Sequence, residues 1–248
     1  MVSRSGLEFY DKKIIKSGNV FEVYEYENKI CKGFKSNGGR HHQVSTSEED
    51  KAHNRDKVLA NARKDIRRIV NSNFNQYGQI SKFLTLTFAD HVTDIDMANS
   101  EFQLFIKRLN YNVFNSKKAV LKYTVVPEFT KAGRVHYHLV LYNMPYVPIK
   151  DIQEIWGNGI SYIEKVEQAD NVGAYICKYL SKETAESFKG KKCYFNSRGL
   201  KKPLEITNKK EVSRYCEYLN TSSDLKFQFN YSNDYTGNID YKQYIAKR

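Results

Sequence analysis

Apolar and polar positions fall into two rhythms along this chain, and their order predicts a succession of strands and helices. From Asn19 to Phe34 the pattern alternates, with Val20, Glu22, Tyr24 and Tyr26 set against Phe21, Val23 and Glu25. That period of two predicts a hairpin turning around Asn28. Ser47-Glu48-Glu49-Asp50 then reads as a helix start, and Val58, Leu59, Ala62, Ile66, Ile69 and Val70 form one helical stripe behind it. Lys82 to Phe88 returns to strict alternation, with Leu84, Leu86 and Phe88 on one face and Thr85 and Thr87 on the other. Thr93-Asp94-Ile95-Asp96 supplies an N-cap and an acidic first turn, and Phe102, Phe105, Ile106 and Leu109 follow at helical spacing as core.

The second half continues in the same way. Leu121 to Glu128 is a strand, Lys131-Ala132-Gly133 a turn, and Arg134 to Asn143 the returning strand of a hairpin. Pro148 opens and Gly157 closes a short helix carrying Ile149, Ile152, Ile155 and Trp156. A weaker strand spans Ile160 to Val166, and Asp170-Asn171 cap a helix expected to run to about Lys182. In that helix Val172, Ile176 and Leu180 form one side, while Tyr175, Lys178, Tyr179 and Lys182 share another. The pattern supports a mixed helix and strand domain without settling strand order. The expected division is an N-terminal extension over 1–47, a central domain over 48–203, and C-terminal strands with a polar, mobile tail over 204–248, packed on the same domain.

Composition narrows the partner. The chain has 248 residues, 40 Lys and Arg against 28 Asp and Glu, a formal charge of +12, and 19 tyrosines. A basic, tyrosine-rich surface suits phosphates and stackable bases. Four scattered cysteines form no C-x-x-C pair, which excludes zinc-finger and thioredoxin readings and predicts reduced thiols. With neither a signal-peptide core nor a membrane-spanning run in the sequence, the expectation is a soluble cytoplasmic protein with no membrane partner. The Lys189 to Pro203 stretch interleaves cations with Tyr194 and Phe195, as a single-strand path requires.

The candidate chemistry centres on His136 and His138. One residue apart on a strand, they point to the same face and make half of a metal site. Glu128, across the hairpin, is the natural third ligand if the register permits. Two imidazoles and a carboxylate suit Mn2+, and Mg2+ when phosphate and water complete the shell. Two bland readings stand beside this one: surface histidines on a strand, and Tyr and Lys side chains lying over a solvated helix face. The helix from Glu48 likewise has a basic face that is either solvated or phosphate-contacting. The adjacent His41 and His42 either bind metal or are simply exposed in a loop.

Three motifs in order resolve these choices. Phe83-Leu84-Thr85-Leu86-Thr87-Phe88, His136-Tyr137-His138 and Tyr175-Ile176-Cys177-Lys178-Tyr179 together resemble the HUH endonucleases, specifically the rolling-circle replication initiators of small phages and plasmids. Ser197-Arg198-Gly199-Leu200-Lys201-Lys202-Pro203 resembles the region after their catalytic helix, so the resemblance covers roughly residues 55–203. Tyr137 stands where an aliphatic residue is usual and still fits the core-side face. The resemblance implies an α+β fold with a central antiparallel sheet and flanking helices on one face, in an RRM-like, ferredoxin-like arrangement. It implies a metal-assisted, site-specific nickase and strand transferase. Tyr175 is then the nucleophile, Lys178 stabilises phenolate or phosphate, and Tyr179 is either a second nucleophile or packing. His136, His138 and Glu128 hold Mg2+ or Mn2+. Thr85, Thr87, Arg134, Lys182, Lys191, Lys192, Arg198, Lys201 and Lys202 contact DNA. Origin single-stranded DNA, a host helicase and a DNA polymerase are the implied partners, with a transient oligomer allowed. The sequence contains no G-x-x-x-x-G-K-[ST] motor motif. A relaxase or transposase of the same chemistry, or a non-catalytic single-strand binding module, are the alternatives.

Overall fold

The computed structural model describes residues 7–33, 47–166, 171–180, 188 and 192–247, without the side chains of 48–52. In chain order its elements are β1 (Glu8–Ser17), β2 (Val20–Lys32), α1 (Glu48–Asn73), β3 (Lys82–Phe88), α2 (Ile95–Phe114), β4 (Tyr123–Phe129), β5 (Val135–Leu141), α3 (Ile149–Trp156), β6 (Gly159–Lys165), α4 (Val172–Cys177), β7 (Phe195–Asn196), β8 (Leu204–Ile206), α5 (Lys209–Ser222), β9 (Ser223–Asn233) and β10 (Gly237–Ala246). The fold is α+β, built on two antiparallel sheets flanked by helices. The chain divides into two compact units, one of residues 1–51 with 203–248 and one of 52–202.

The unit of 52–202 holds a five-stranded sheet in the order β6-β3-β5-β4-β7. Within it, β3-α2-β4-β5-α3-β6 is a βαββαβ succession whose four strands lie fourth-first-third-second, the ferredoxin-like arrangement. The histidine strand β5 is central. Strand alternation gives this sheet two apolar faces. Leu84, Leu86, Tyr137 and Leu139 pack with Phe102, Phe105, Leu109, Ile152 and Trp156 from α2 and α3. On the other face Phe83, Val126 and Val140 pack with Leu59, Ile66 and Val70 of α1 and with Val172, Ile176 and Leu180. Helices therefore cover both faces, not one. The α1 stripe and the α4 side chains Val172 and Ile176 need an apolar floor, and the sheet's second face supplies it.

Local signals place several boundaries. Asp94 caps α2 through its carboxylate, which accepts from the amides of Asp96 and Met97. Gly157 closes α3 with φ +68, a conformation that needs no Cβ. Trp156 is fully buried, and its indole Nε1–H donates to Thr87 O at 3.1 Å.

The unit of 1–51 and 203–248 has its own sheet, ordered β8-β1-β2-β10-β9. The 204–248 segment, expected to pack on the central domain with a mobile tail, instead pairs with the N-terminal strands, and Gly237–Ala246 is a regular strand. The N-terminal hairpin turns at Gly18-Asn19 rather than at Asn28, and β2 runs straight through Asn28. Gly18, at φ +63, supplies the positive φ that a two-residue hairpin loop needs. Val212, Tyr215 and Leu219 of α5 pack against Ile14, Phe21 and Val23 on one face of this sheet. No helix among the described residues is long and apolar enough to cross a membrane.

Candidate active site

The second face of the central sheet carries the chemistry. Across β3 and β5, Thr85 pairs with His138 and Thr87 with His136; across β4 and β5, Glu128 pairs with His136 and Val126 with His138. Directly opposed residues share a face, so both threonines, both histidines and Glu128 line it together. Glu128 has the register the hairpin required. Its Oε2 reaches the diagonal neighbour, lying 2.8 Å from His138 Nε2. Thr85 Oγ1 lies 3.2 Å from His138 Nδ1, so both ring nitrogens are engaged and the imidazole plane is set. A carboxylate only accepts, which puts a proton on Nε2 in this arrangement. Metal coordination at that nitrogen would displace the proton.

His136 is half-buried. Burial lowers its pKa first, the neighbouring His138 and Arg134 lower it further, and Glu128 opposes them. It is thus held toward the neutral form that can ligate a metal. Among the described residues no group of three or more His, Cys, Asp and Glu side chains is drawn together as a complete ligand set. Two expected ligands, His138 and Glu128, converge. His136 stands opposite Glu128 in the ladder. The donor types fit a divalent cation of the Mn2+ or Mg2+ class, and two of the three sites are already neighbours.

The tyrosine segment lies against this face, and its local geometry differs from the sequence expectation. The α-helix ends at Cys177 rather than near Lys182. Beyond it the amides of Lys178, Tyr179 and Leu180 bond to the carbonyls of Tyr175, Ile176 and Cys177, each three residues back. That 3₁₀ tightening eclipses residues three apart and separates those four apart. Lys178 is therefore brought over Tyr175, with Nζ 3.7 Å from the ring centroid and 4.8 Å from that of Tyr179. Tyr175 and Tyr179 do not share one direction. Their rings stand edge-on, 6.1 Å apart at 84°. Tyr175 meets Phe83 at 4.8 Å, while Tyr179 stacks on His138 with centroids 3.5 Å apart and planes within 10°.

The two hydroxyls are chemically unequal. Hydrogen bonds from Lys178 and Tyr179 lower the pKa of the exposed Tyr175. Burial raises that of Tyr179. One tyrosine is eased toward phenolate and the other held as a phenol donor.

The residues that hold this segment carry no motif signal. Asn71 of α1, buried, accepts from Gly173 N at 2.8 Å and donates to Asn171 Oδ1 at 2.9 Å. Asn171 in turn caps the helix by accepting from Ala174 N. Arg63 Nε donates to Leu180 O at 2.8 Å, and Cys177 Sγ donates to Arg63 O at 3.2 Å. The α1 surface, read as either solvated or phosphate-contacting, thus uses Arg63 and Asn71 to clamp the tyrosine segment. Burial pushes the Cys177 thiol up to about 11, which makes it a packing group. Gly173 sits so close to Arg67 that a Cβ there would lie 2.2 Å from the Arg67 carbonyl oxygen. Only the glycine's low value as a helix former hinted at this contact.

The expected DNA contacts divide. Thr85 and Thr87 lie on the catalytic face beside the histidines, and Arg134 is half-buried just before them. Lys192, Arg198, Lys201 and Lys202 are exposed. Asn73 exchanges two hydrogen bonds of 2.8 Å with the Lys201 backbone, fixing that segment to the end of α1. Tyr194, Phe195 and Leu200, grouped with the basic run as a base-stacking path, instead pack partly buried against the two apolar clusters. Lys182, Lys191, His41 and His42 lie outside the described residues.

Comparison with known proteins bears on this same region. A family model of replication-associated proteins of the ORF2 type matches residues 81–184, which contain both threonines, the His pair, Glu128 and the tyrosine segment. The Phasyl DNA replicon protein arp of Escherichia coli is 31% identical over 156 residues, covering 51% of this chain and 53% of that protein. The chain therefore spans about half the length of the curated relative it matches. No solved structure gives a significant match.

Proposed function

We propose that this chain is a replication initiator that nicks one strand of an origin through Tyr175. The observation that carries the reading is the meeting of a Tyr175–Lys178–Tyr179 cluster with the His138–Glu128–Thr85 face, inside the region similar to replication-associated proteins. The Tyr175 oxygen attacks a DNA phosphorus and the bond to the 3′ oxygen breaks. The products are a 5′-phosphotyrosine and, once that oxygen takes up a proton, a free 3′ hydroxyl. Lys178 and Tyr179 stabilise the attacking phenolate by hydrogen bonds. Thr85 orients His138. His136, His138 and Glu128 would hold Mg2+ or Mn2+, which when bound polarises the scissile phosphate and offsets its growing charge. Attack by a 3′ hydroxyl on the phosphotyrosine reverses the step and joins ends. Tyr179, kept protonated by burial, serves the second transfer after Tyr175 is occupied.

Extension from the released 3′ hydroxyl calls for a polymerase, and strand separation for a helicase. The test is incubation with Mn2+ and a labelled library of single-stranded oligonucleotides, followed by denaturing electrophoresis and peptide mapping. An adduct on Tyr175 that Tyr175→Phe abolishes is expected, with Tyr179→Phe sparing nicking and impairing joining. DNA binding without any adduct across metals would leave a single-strand binding module instead. Full nicking by Tyr175→Phe would move the nucleophile elsewhere.

A further inference from the structure

The unit of 1–51 and 203–248 presents a second aromatic surface that the proposed nicking chemistry does not use. Its sheet has α5 on one face. The ladder places Lys13, Tyr24, Tyr26, Ile239, Tyr241, Phe229 and Tyr231 together on the other. Toward β1 that face is closed, with Ile15 and Val20 buried. Toward β9 it opens: Phe227, Phe229 and Tyr231 are 53%, 42% and 40% exposed. These rings form a continuous array. Phe229 is 5.3 Å from both Phe227 and Tyr231 and 5.0 Å from Tyr241, which is 5.0 Å from Tyr24. Tyr24 and Tyr26 lie parallel within 9°, and Lys13 Nζ stands 5.2 and 5.6 Å from their centroids.

Three large rings left in water on one strand mark a surface that another molecule covers. We propose that this face is a stacking platform for single-stranded DNA, with bases lying on Phe227, Phe229 and Tyr231 and Lys13 meeting the backbone. Flat rings serve any base, and the ammonium held over two of them supplies the phosphate contact, as in single-strand binding grooves. The choice of occupant also rests on the reading of the chain as a protein that handles single-stranded DNA. The platform gives the origin strand a second hold outside the nicking site.

The test is fluorescence anisotropy of a labelled oligothymidylate of about 20 nucleotides with the full chain, comparing wild type with Phe229→Leu/Tyr231→Leu, Phe227→Leu and Lys13→Gln. Leucine keeps the apolar bulk and removes the stacking face, so folding is preserved and circular dichroism confirms it. The double variant is expected to weaken binding about tenfold or more, while the covalent adduct formed at saturating DNA stays as in wild type. Unchanged binding by the folded double variant overturns the platform. A switch from dimer to monomer in sedimentation, with DNA affinity intact, also overturns it and makes β9, an edge strand, a pairing surface between copies. Loss of the adduct in wild type with stacking-dependent binding retained would sink the nicking reading and leave the platform standing.

Discussion

Gly173→Ala tests how the tyrosine segment is seated. The added methyl would lie 2.2 Å from the Arg67 carbonyl oxygen, 2.7 Å from its Cα and 2.8 Å from its carbonyl carbon. All three are backbone atoms of α1, so no side chain can swing aside. Ordinary contact begins at 3.4 Å, so α4 must retreat by about 1.2 Å from α1. The retreat stretches the Gly173 N to Asn71 bond of 2.8 Å beyond use and strands a buried amide. Overpacking of this kind costs about 1–3 kcal/mol. At ~2–4 °C per kcal/mol, the melting temperature should fall by roughly 2–12 °C. The larger effect is on chemistry, because Tyr175 lies two residues further on. A misplacement near ~1 Å costs on the order of 10²-fold in rate. Single-turnover adduct formation should therefore drop about a hundredfold, while oligonucleotide affinity, which loses no phosphate contact, changes little. A variant that melts with wild type and forms the adduct at full rate would show that α1 does not position the nucleophile.

Other substitutions probe separate links. Lys178→Met removes the first cause of the lowered Tyr175 pKa, so the rise of adduct formation with pH should move to higher pH; an unmoved profile means Lys178 does not activate the tyrosine. Thr85→Val keeps the shape of a half-buried strand position but frees His138 Nδ1, and Mn2+ affinity measured by calorimetry should fall ~10–100-fold with secondary structure intact; equal affinity would place the cation elsewhere. Trp156→Phe deletes the indole donor to Thr87 O and opens space beside Phe88 and Phe105. It should cost about 2–4 kcal/mol in denaturant titration, and a loss within error would mean the core closes over the gap.

Much of the central domain was legible because its signals are local. Lys82–Phe88 appears in the structure with the bounds its alternation predicts, and Asp94, Pro148 and Gly157 mark helix ends by chemistry confined to one turn. The pairing of Glu128 with His136 followed from a short connection between two alternating runs. Other features were not legible in the same way. The N-terminal hairpin was misplaced because β2 alternates without interruption through Asn28, and only the Gly18-Asn19 pair carries the turn. The C-terminal strands carry no label naming their partner, since backbone pairing across a ladder is indifferent to distance along the chain.

By itself, the sequence determined which residues share a face: period two puts His136 with His138 and Thr85 with Thr87, and period 3.6 groups the α1 stripe. Tertiary structure alone decided how the two tyrosines differ. Helical spacing makes Tyr175 and Tyr179 neighbours of one kind. The 3₁₀ turn after Cys177, held by Arg63 and permitted by the missing Cβ of Gly173, sends one ring to Phe83 and Lys178 and the other onto His138. Burial and hydrogen bonding then shift their pKa values in opposite directions, and both are properties of what surrounds a side chain rather than of its place in the chain.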